Sequence, residues 1–559
     1  MQELRDKADF YTKTGMILVW DCELAVVKSD TIVPDALLNS LRTHVRPLED
    51  IPAHAKDWHP GSDKKVLDLL HPSLFPLISE TSRALRTGTV PLENCAQYIG
   101  TGDPIDVLEG PAGYLFSRQI DWAMDNAWGS FQWLPSNVSF TESGEPRIDS
   151  YINNLHPAAH RELYKTLEKF VGHAIPLWNE SLSWFENRTR LDCPELHSNN
   201  DFFIPNDILF EPTESDAEDA GSDFDRDSDD TLAKEPKDRL RPLTYEQAIG
   251  KGLQYCDRFE DWYYTHRVLK KIEPREFWSR ADWESQPEHR PVDLQADFWD
   301  SGLQIIFKLA NIHLTPEKPD YEGGTWHIEG ALNEHICATA LFYYDEENIT
   351  ESSLAFRQQF DTEQLGFPPQ YEFHSIEHYY NIENQDEAIQ DLGSVVTRQG
   401  RLLAFPNILQ HKVEPFRLED PHKPGHRKIL AMFLVDPHIR ILSTANVPPQ
   451  RRDWWAVEVA KIHPFNRLPR EVFEMIIDAV EGFPISWERA VEVRKKLMDE
   501  RRNLTSQFNS GMNMVSTCII LHLSSFIWVC GLIECRLHSA SVSIEDDTYR
   551  LEVFKYTRS

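Results

Sequence analysis

The sequence predicts an α+β protein: a β-sandwich or barrel over about residues 301–440, flanked by a large helical and loop-rich region before it and by helices after it. Three observations carry this. Short apolar runs rich in β-branched and aromatic residues follow one another, split by Pro, Gly and Asn: LQIIFKLANIHL (303–314), HICATALFYY (335–344), GSVVT (393–397), GRLLAFPN (400–407) and RKILAMFLVDP (427–437). Upstream, Leu163, Leu167, Phe170 and Val171 recur with the period of an amphipathic helix. Downstream, Pro469 opens one helix and Ser486 caps a second that runs to about residue 501.

Taken in order, residues 1–205 mix that helix with proline-punctuated aromatic phrases such as WHPGSD (58–63), LLHPSLFPL (69–77), FQWLP (131–135) and SYINNLHP (150–157). Proline fixes φ and stops helices, so these predict ordered loops that pack on the core. Residues 206–240 hold an acidic tract, net −9 over 211–230, which cannot collapse and is expected to be a disordered insertion. Residues 241–300 resume a long aromatic-rich helical pattern from 245 to about 271. After the strand-rich core, 441–505 supply a strap (TANVPPQRRDWW, 444–455) and the two helices. The tail, 506–559, is atypical: 515–533 (VSTCIILHLSSFIWVCGLI) has the length of a membrane span, although its Ser, Thr and His residues weaken that reading.

Composition narrows the class. Sixteen Trp, 17 Tyr and 29 Phe supply a core, and a net charge of −33 repels phosphate backbones, so no nucleic-acid partner is expected. The partner expected is a small-molecule or protein substrate; a membrane enters only if 515–533 is a true span. Eight scattered cysteines without a C-x-x-C pair suit reduced thiols, and the first residues (MQELRDKADF) carry no secretory signal. Both point to an intracellular protein, cytoplasmic or nuclear.

P-loop, zincin, nucleophile-elbow and dinucleotide fingerprints are absent. What remains is His-x-acid, which occurs twice. His160–Glu162 sits in a helical pattern, where residues two apart diverge. His327–Glu329 follows Gly323-Gly324 in an extended stretch, where residues two apart share a face and can meet one ion. The best third ligand is His411, just after GRLLAFPN. Two His and one carboxylate leave half of an octahedral ion open, the arrangement of non-haem Fe(II) oxygenases. Arg427 opens the last apolar run, with a planar fork suited to a carboxylate. Asn311 and His313 on the preceding strand, and Tyr343 on the following one, are expected to touch a co-substrate. Tyr344, Trp326 and Asn333 are weaker lining candidates, and Cys337 is expected to be a small buried residue.

An H-x-E pair, a distant His and an Arg on the final strand resemble the layout of Fe(II)/2-oxoglutarate-dependent dioxygenases. GRLLAFPNILQHKVEPF…PGHRKILAMFLVD is similar to the distal half of that superfamily's double-stranded β-helix, a jelly-roll or cupin-like core. The resemblance implies Fe(II) on His327, Glu329 and His411 as catalytic centre. It also implies 2-oxoglutarate anchored by Arg427, and hydroxylation or demethylation as the reaction. Two departures stand out: Glu329 replaces the commoner Asp, and Ile429 stands where many members carry Ser or Thr. The chain also resembles a group of fungal proteins known as domain of unknown function 4246. KDWHPGSDKKVLDLLHPSLFPL, LTPEKPDYEGGTWHIEGALNEHICATALFYYDEENITESSLAFR and ANVPPQRRDWW carry that likeness, from near residue 5 to about 505. Two other readings stay open: a cupin-like metal enzyme that uses no 2-oxo acid, and a non-catalytic binding module on the same scaffold.

Overall fold

The strand Leu303–Leu314 alternates two kinds of neighbour, and the alternation sorts the molecule into layers. Leu303, Ile305, Phe307 and Leu309 join one apolar cluster with the helices, while Ile306 joins a second cluster on the opposite face. The computed structural model describes residues 1–511 except 22–24, 108–128, 184–190, 193–201, 221–239, 272, 275–276, 287–290, 360–376, 380 and 382–388.

The elements used below are, in chain order, β1 (Ile17–Asp21), β2 (Ala25–Ser29), α1 (Asp35–Glu49), β3 (Val66–Leu70), β4 (Ser136–Phe140), β5 (Pro146–Ile148) and α2 (Arg161–Leu182). After them come α3 (Glu214–Ala220), β6 (Leu303–Leu314), β7 (Ile336–Glu347), β8 (Ser352–Gln359), β9 (Ile389–Thr397), β10 (Leu402–Pro406), β11 (Gln410–Val413), β12 (Gly425–Val435) and α4 (Trp487–Gly511). A nine-stranded antiparallel sheet runs β1-β2-β10-β7-β12-β6-β4-β5, with β3 also paired to β6. A second antiparallel sheet runs β9-β8-β11.

Both faces of the large sheet are covered, which is why β7 and β12 are apolar almost throughout rather than alternating. On one face lie α1 and α2. The stripe Leu163, Leu167, Phe170, Ala174 and Trp178 of α2 packs on Phe342, Ala340 and Leu402, with the Phe170 and Phe342 rings 4.8 Å apart. The other face meets the small sheet across Leu341, Tyr343, Leu354, Phe356, Val395, Phe405 and Phe433.

Several expectations need correction. The first 205 residues do more than pack on the core: β1 to β5 extend the sheet itself. β2 covers the otherwise open edge of β10 through Leu402↔Ser29 and Ala404↔Val27. The long helix expected over 245–271 breaks into two pieces, 245–250 and 257–266, with Gly252 at φ 77° between them. The acidic segment is ordered at its start. α3 buries Ala217 against Phe210, Leu243 and Phe259, because Arg258 pairs with Asp216 and removes the charge that would oppose burial. The rest of the tract, 221–239, lies outside the described residues. So does the apolar tail from 512, including 515–533; among the described residues no helix is long and apolar enough to cross a membrane.

α4 starts where the Ser486 hydroxyl accepts the Arg489 amide at 3.3 Å, and it continues ten residues past its expected end. One face of this helix enters the molecule. Leu497 joins the inter-sheet cluster, Arg494 grips Asp57 through two bonds of 2.6 and 2.7 Å, and Arg501 meets both oxygens of Glu334 at 2.5 and 2.7 Å. Glu334 has no exposed surface and also accepts from the backbone amides of Trp133 and Ala331. Arg501→Ala strands that carboxylate. The expected result is a loss of about 3–5 kcal/mol in unfolding free energy, read from the denaturant midpoint; the paired change Glu334→Gln/Arg501→Met loses less.

Candidate metal centre

Gly323, at φ 93°, begins the approach of the His327 segment to β11: a Cβ there would stand 2.8 Å from the Val413 carbonyl oxygen. Four residues later the segment makes a single bridge to β11, with His327 N donating to His411 O at 3.2 Å and His411 N to His327 O at 3.0 Å. Paired residues share a face, so the two imidazoles stand side by side, with ring centroids 4.5 Å apart. Glu329, two residues on, projects to the same side. Its Oε1 lies 3.7 Å from His327 Nε2 and 3.5 Å from His411 Nε2. Those separations match neighbouring ligands on one ion at about 2.0–2.2 Å.

The donors are oriented. The Thr325 carbonyl accepts from His327 Nδ1 at 2.7 Å, which leaves the Nε2 lone pair facing Glu329. Asn407, at the end of GRLLAFPN, holds the Glu329 backbone from both sides: its Oδ1 accepts the Glu329 amide at 2.9 Å and its Nδ2 donates to the Glu329 carbonyl at 2.8 Å. The same Nδ2 reaches the Ile336 carbonyl, so one amide ties the ligand loop to β7. Sequence reasoning missed Asn407; the signal was its place four residues before His411. Burial alone would lift the Glu329 carboxyl, but the two imidazoles override it and hold it well below the ordinary carboxylate value. Burial lowers His411, helped by the neighbouring His327 ring, whereas the pull of Glu329 outweighs burial at His327 and raises it.

Arg427 stands on the β12 face turned towards this cluster. It has no exposed surface, and its guanidinium lies 4.6 Å from the Tyr343 ring centre and 5.6 Å from that of Phe416. One nitrogen donates to Ser352 Oγ at 2.8 Å. Nε and Nη2 of Arg427 and the Tyr343 hydroxyl have no hydrogen-bond partner among the described residues. Glu346, its register partner on β7, stops short of an ion pair. A buried guanidinium with two idle donors is set to receive a planar anion. The hydroxyl that Ile429 cannot supply comes from Ser352, which also bonds Thr397 at 2.7 Å.

Other expected site residues are placed elsewhere. Asn311 and His313 are odd-numbered residues of β6 and face the helices, on the opposite side of the sheet from Arg427. Asn311 bonds Glu49 at 2.7 Å and receives the Tyr344 hydroxyl at 2.9 Å, so Tyr344 too is on that side. His313 packs near Trp58 and His426, and burial lowers it to about 4. Trp326 alternates away from His327 and is held between Arg357 and Lys412. Asn333 ties the 129–131 backbone. The strap after β12 is structural: Gln450 bonds the carbonyls of Phe75 and Pro76. Cys337 is a buried free thiol, as are Cys95 and Cys256.

A second cluster went unassigned in the sequence, although its phrase stood out. His59, Asp68 and His71 bring three donors within 4.8 Å of one another. It suits a metal poorly. The Ser73 amide donates to His71 Nδ1 at 3.1 Å, so that nitrogen is occupied, and burial lowers the basicity of the ring. His59 Nδ1 lies 2.9 Å from Asp68 Oδ2, and Arg494 stands 3.6 Å from the same oxygen. The arrangement is a carboxylate met on one oxygen by an imidazole and a guanidinium, with the His71 ring nearby.

Comparison with known proteins assigns the family. The chain belongs to the family described as Protein of unknown function (DUF4246). The match spans residues 1–458, so α4 lies beyond it. No curated protein matches. Among solved structures, the chain is similar to IDO from Bacillus thuringiensis (10% identity, 37% of this chain and 69% of that one, TM-score 0.16). It is also similar to the Fe(II)/α-ketoglutarate-dependent dioxygenase TqaL (14%, 44% and 87%, 0.16) and to AviO1 from Streptomyces viridochromogenes (11%, 42% and 89%, 0.15). TM-scores of this size add no weight to the geometry.

Although burial opposes it, Asp68 is held down to about 2 by His71 and His59. Its stabilisation is present above the unfolded value near 3.8 and disappears as the pH falls towards about 2. Titrating unfolding free energy over that window, Asp68→Asn is expected to flatten the acid limb by about 2 kcal/mol relative to wild type.

Proposed function

We propose that the chain is a non-haem Fe(II)/2-oxoglutarate-dependent oxygenase, and that its two facing sheets are the double-stranded β-helix of such enzymes. One observation carries this: two imidazoles and a carboxylate converge on one point while a buried guanidinium with two idle donors faces the same space. The donor set fits iron. His327 and His411 offer neutral nitrogen and Glu329 an ionised oxygen, on three neighbouring positions that leave the others free. A closed structural zinc site would want a fourth protein ligand, and Cys337, the nearest cysteine in sequence, is buried in the cluster on the helix side of the sheet.

Bound iron supplies O₂ activation, which couples decarboxylation of a 2-oxo acid to oxidation of a substrate C–H bond. The protein's part is binding and orientation. Arg427 takes the distal carboxylate of 2-oxoglutarate through Nε and Nη2, with the Tyr343 hydroxyl beside it and Ser352 holding the remaining guanidinium nitrogen. The apolar surround of Phe416 and Tyr343 excludes water and strengthens that contact. Asn407 and the 327–411 bridge fix the ligand loop against β7 and β11. A cupin-like enzyme without a 2-oxo acid has no use for Arg427, which is why that reading ranks second.

Reconstituted anaerobically with Fe(II) and 2-oxoglutarate, the protein is expected to develop a weak visible metal-to-ligand charge-transfer band. His327→Ala abolishes it. Arg427→Ala keeps iron but raises the 2-oxoglutarate Kd by about 10–100-fold, the worth of a charged hydrogen bond. Wild-type protein that binds no iron under these conditions refutes the reading.

A further inference from the structure

The alternation that turns Asn311 and His313 of β6 towards the helices turns Lys308 the other way. Ile306 lies in the cluster between the sheets, and Ile312 pairs with Arg427 and packs by Phe416. Lys308 stands between them on that face. Its register partner on β12 is Ala431, and Ala310 is its neighbour on the same face of β6, so the side chains flanking its stem on the sheet are small. Among the described residues its ammonium has no hydrogen bond or ion pair. It is close enough to act on the charge of His327 on the facing side, and of Asp68 and His71 beside β3. Asp68 pairs with Ala310 and is thus the diagonal neighbour of Lys308; its Oδ2 serves His59 and Arg494, while its Oδ1 has no hydrogen-bond partner among the described residues, so Lys308 acts on that carboxylate across the face without bonding it. A cation raised on an inward, largely apolar wall opposite His327, with a carboxylate near it but none bonded to it, is able to take an anion.

We propose that Lys308 binds a carboxylate on this face, seating an organic acid beside His327, Glu329 and His411. A guanidinium would grip a planar anion in one fixed orientation, whereas an ammonium on a four-carbon stem follows a carboxylate wherever it sits. Arg427 and Ala431 are four residues apart on β12, about 13 Å of strand, so the two cations serve different carboxylate groups. Two acids share the chemistry: the 1-carboxylate end of 2-oxoglutarate, remote from Arg427, or a carboxylate of the substrate itself. The first rests on the oxygenase reading; the second does not.

Lys308→Met keeps the stem and removes the charge, and Lys308→Arg keeps the charge. Anaerobic calorimetry of 2-oxoglutarate into the Fe(II) protein tests the first source: a loss of about tenfold or more in the Met variant, partly restored in the Arg variant, with iron affinity unchanged, assigns the co-substrate. If 2-oxoglutarate affinity stays within about twofold, ligand-observed NMR with acetate, hexanoate and benzoate at saturating 2-oxoglutarate tests the second. Binding to wild type that Lys308→Met abolishes assigns the substrate. Should wild type take neither iron nor 2-oxoglutarate, the oxygenase reading fails, and the same three acids on the metal-free protein still test Lys308. Acid binding that is absent from wild type, or equal in wild type and Lys308→Met, overturns the proposal in either setting.

Discussion

Two backbone hydrogen bonds between residues 327 and 411 decide the rest of the site. They join a loop that belongs to no strand to the edge of the small sheet, and in doing so they set two imidazoles side by side and bring Glu329 to the same face. The segment approaches β11 closely at Gly323, and the ligand loop cannot drift because Asn407 holds the Glu329 backbone on both sides. The side chains are therefore gathered by backbone geometry before any ion is present, which is what keeps a metal site from having to organise itself during binding.

Distant parts of the chain close the cavity around that bridge. Arg494 and Arg501 lie seven residues apart on one face of α4. The first fastens the 57–68 hairpin and the second fastens Glu334, five residues after Glu329. Arg501 also lies 3.7 Å above Trp133, whose ring packs near His71 and Phe433. One helix beyond the family match thus holds both the metal loop and the second polar cluster. At Glu334 the remaining polar contacts are backbone amides, the condition under which a buried pair holds a geometry rather than weakens it.

Charge is distributed against the grain of the whole chain. The protein carries −33 overall, yet the wall facing the metal ligands presents two cations, Arg427 and Lys308. Surface charge sets long-range steering; a buried guanidinium sets what is held once inside. The acid-rich surface accordingly says little about which charges stand on an inward face. The acid at Asp216 makes the same point on a small scale, since Arg258 stands against it where a short helix opens a tract whose composition predicted disorder.

The sequence by itself determined the strand-rich core and the helix at 163–171, and it picked out the His327–Glu329 pair that the structure sets beside His411, because each is encoded locally: a period of two or 3.6, a glycine pair, an H-x-E in an extended stretch. It also singled out Arg427 and Tyr343, which the structure brings together. What it could not fix was which way a strand faces when both faces are buried. β6 is apolar on both sides, so its sequence offers no alternation to follow; Asn311 and His313 face the helices, and Lys308 was passed over. Nor could it foresee that β1 to β5 would complete the sheet, or that Asn407, Ser352 and the arginines of α4 would finish the site. Those are long-range pairings, decided by register and packing between segments up to hundreds of residues apart, and only the tertiary structure contains them.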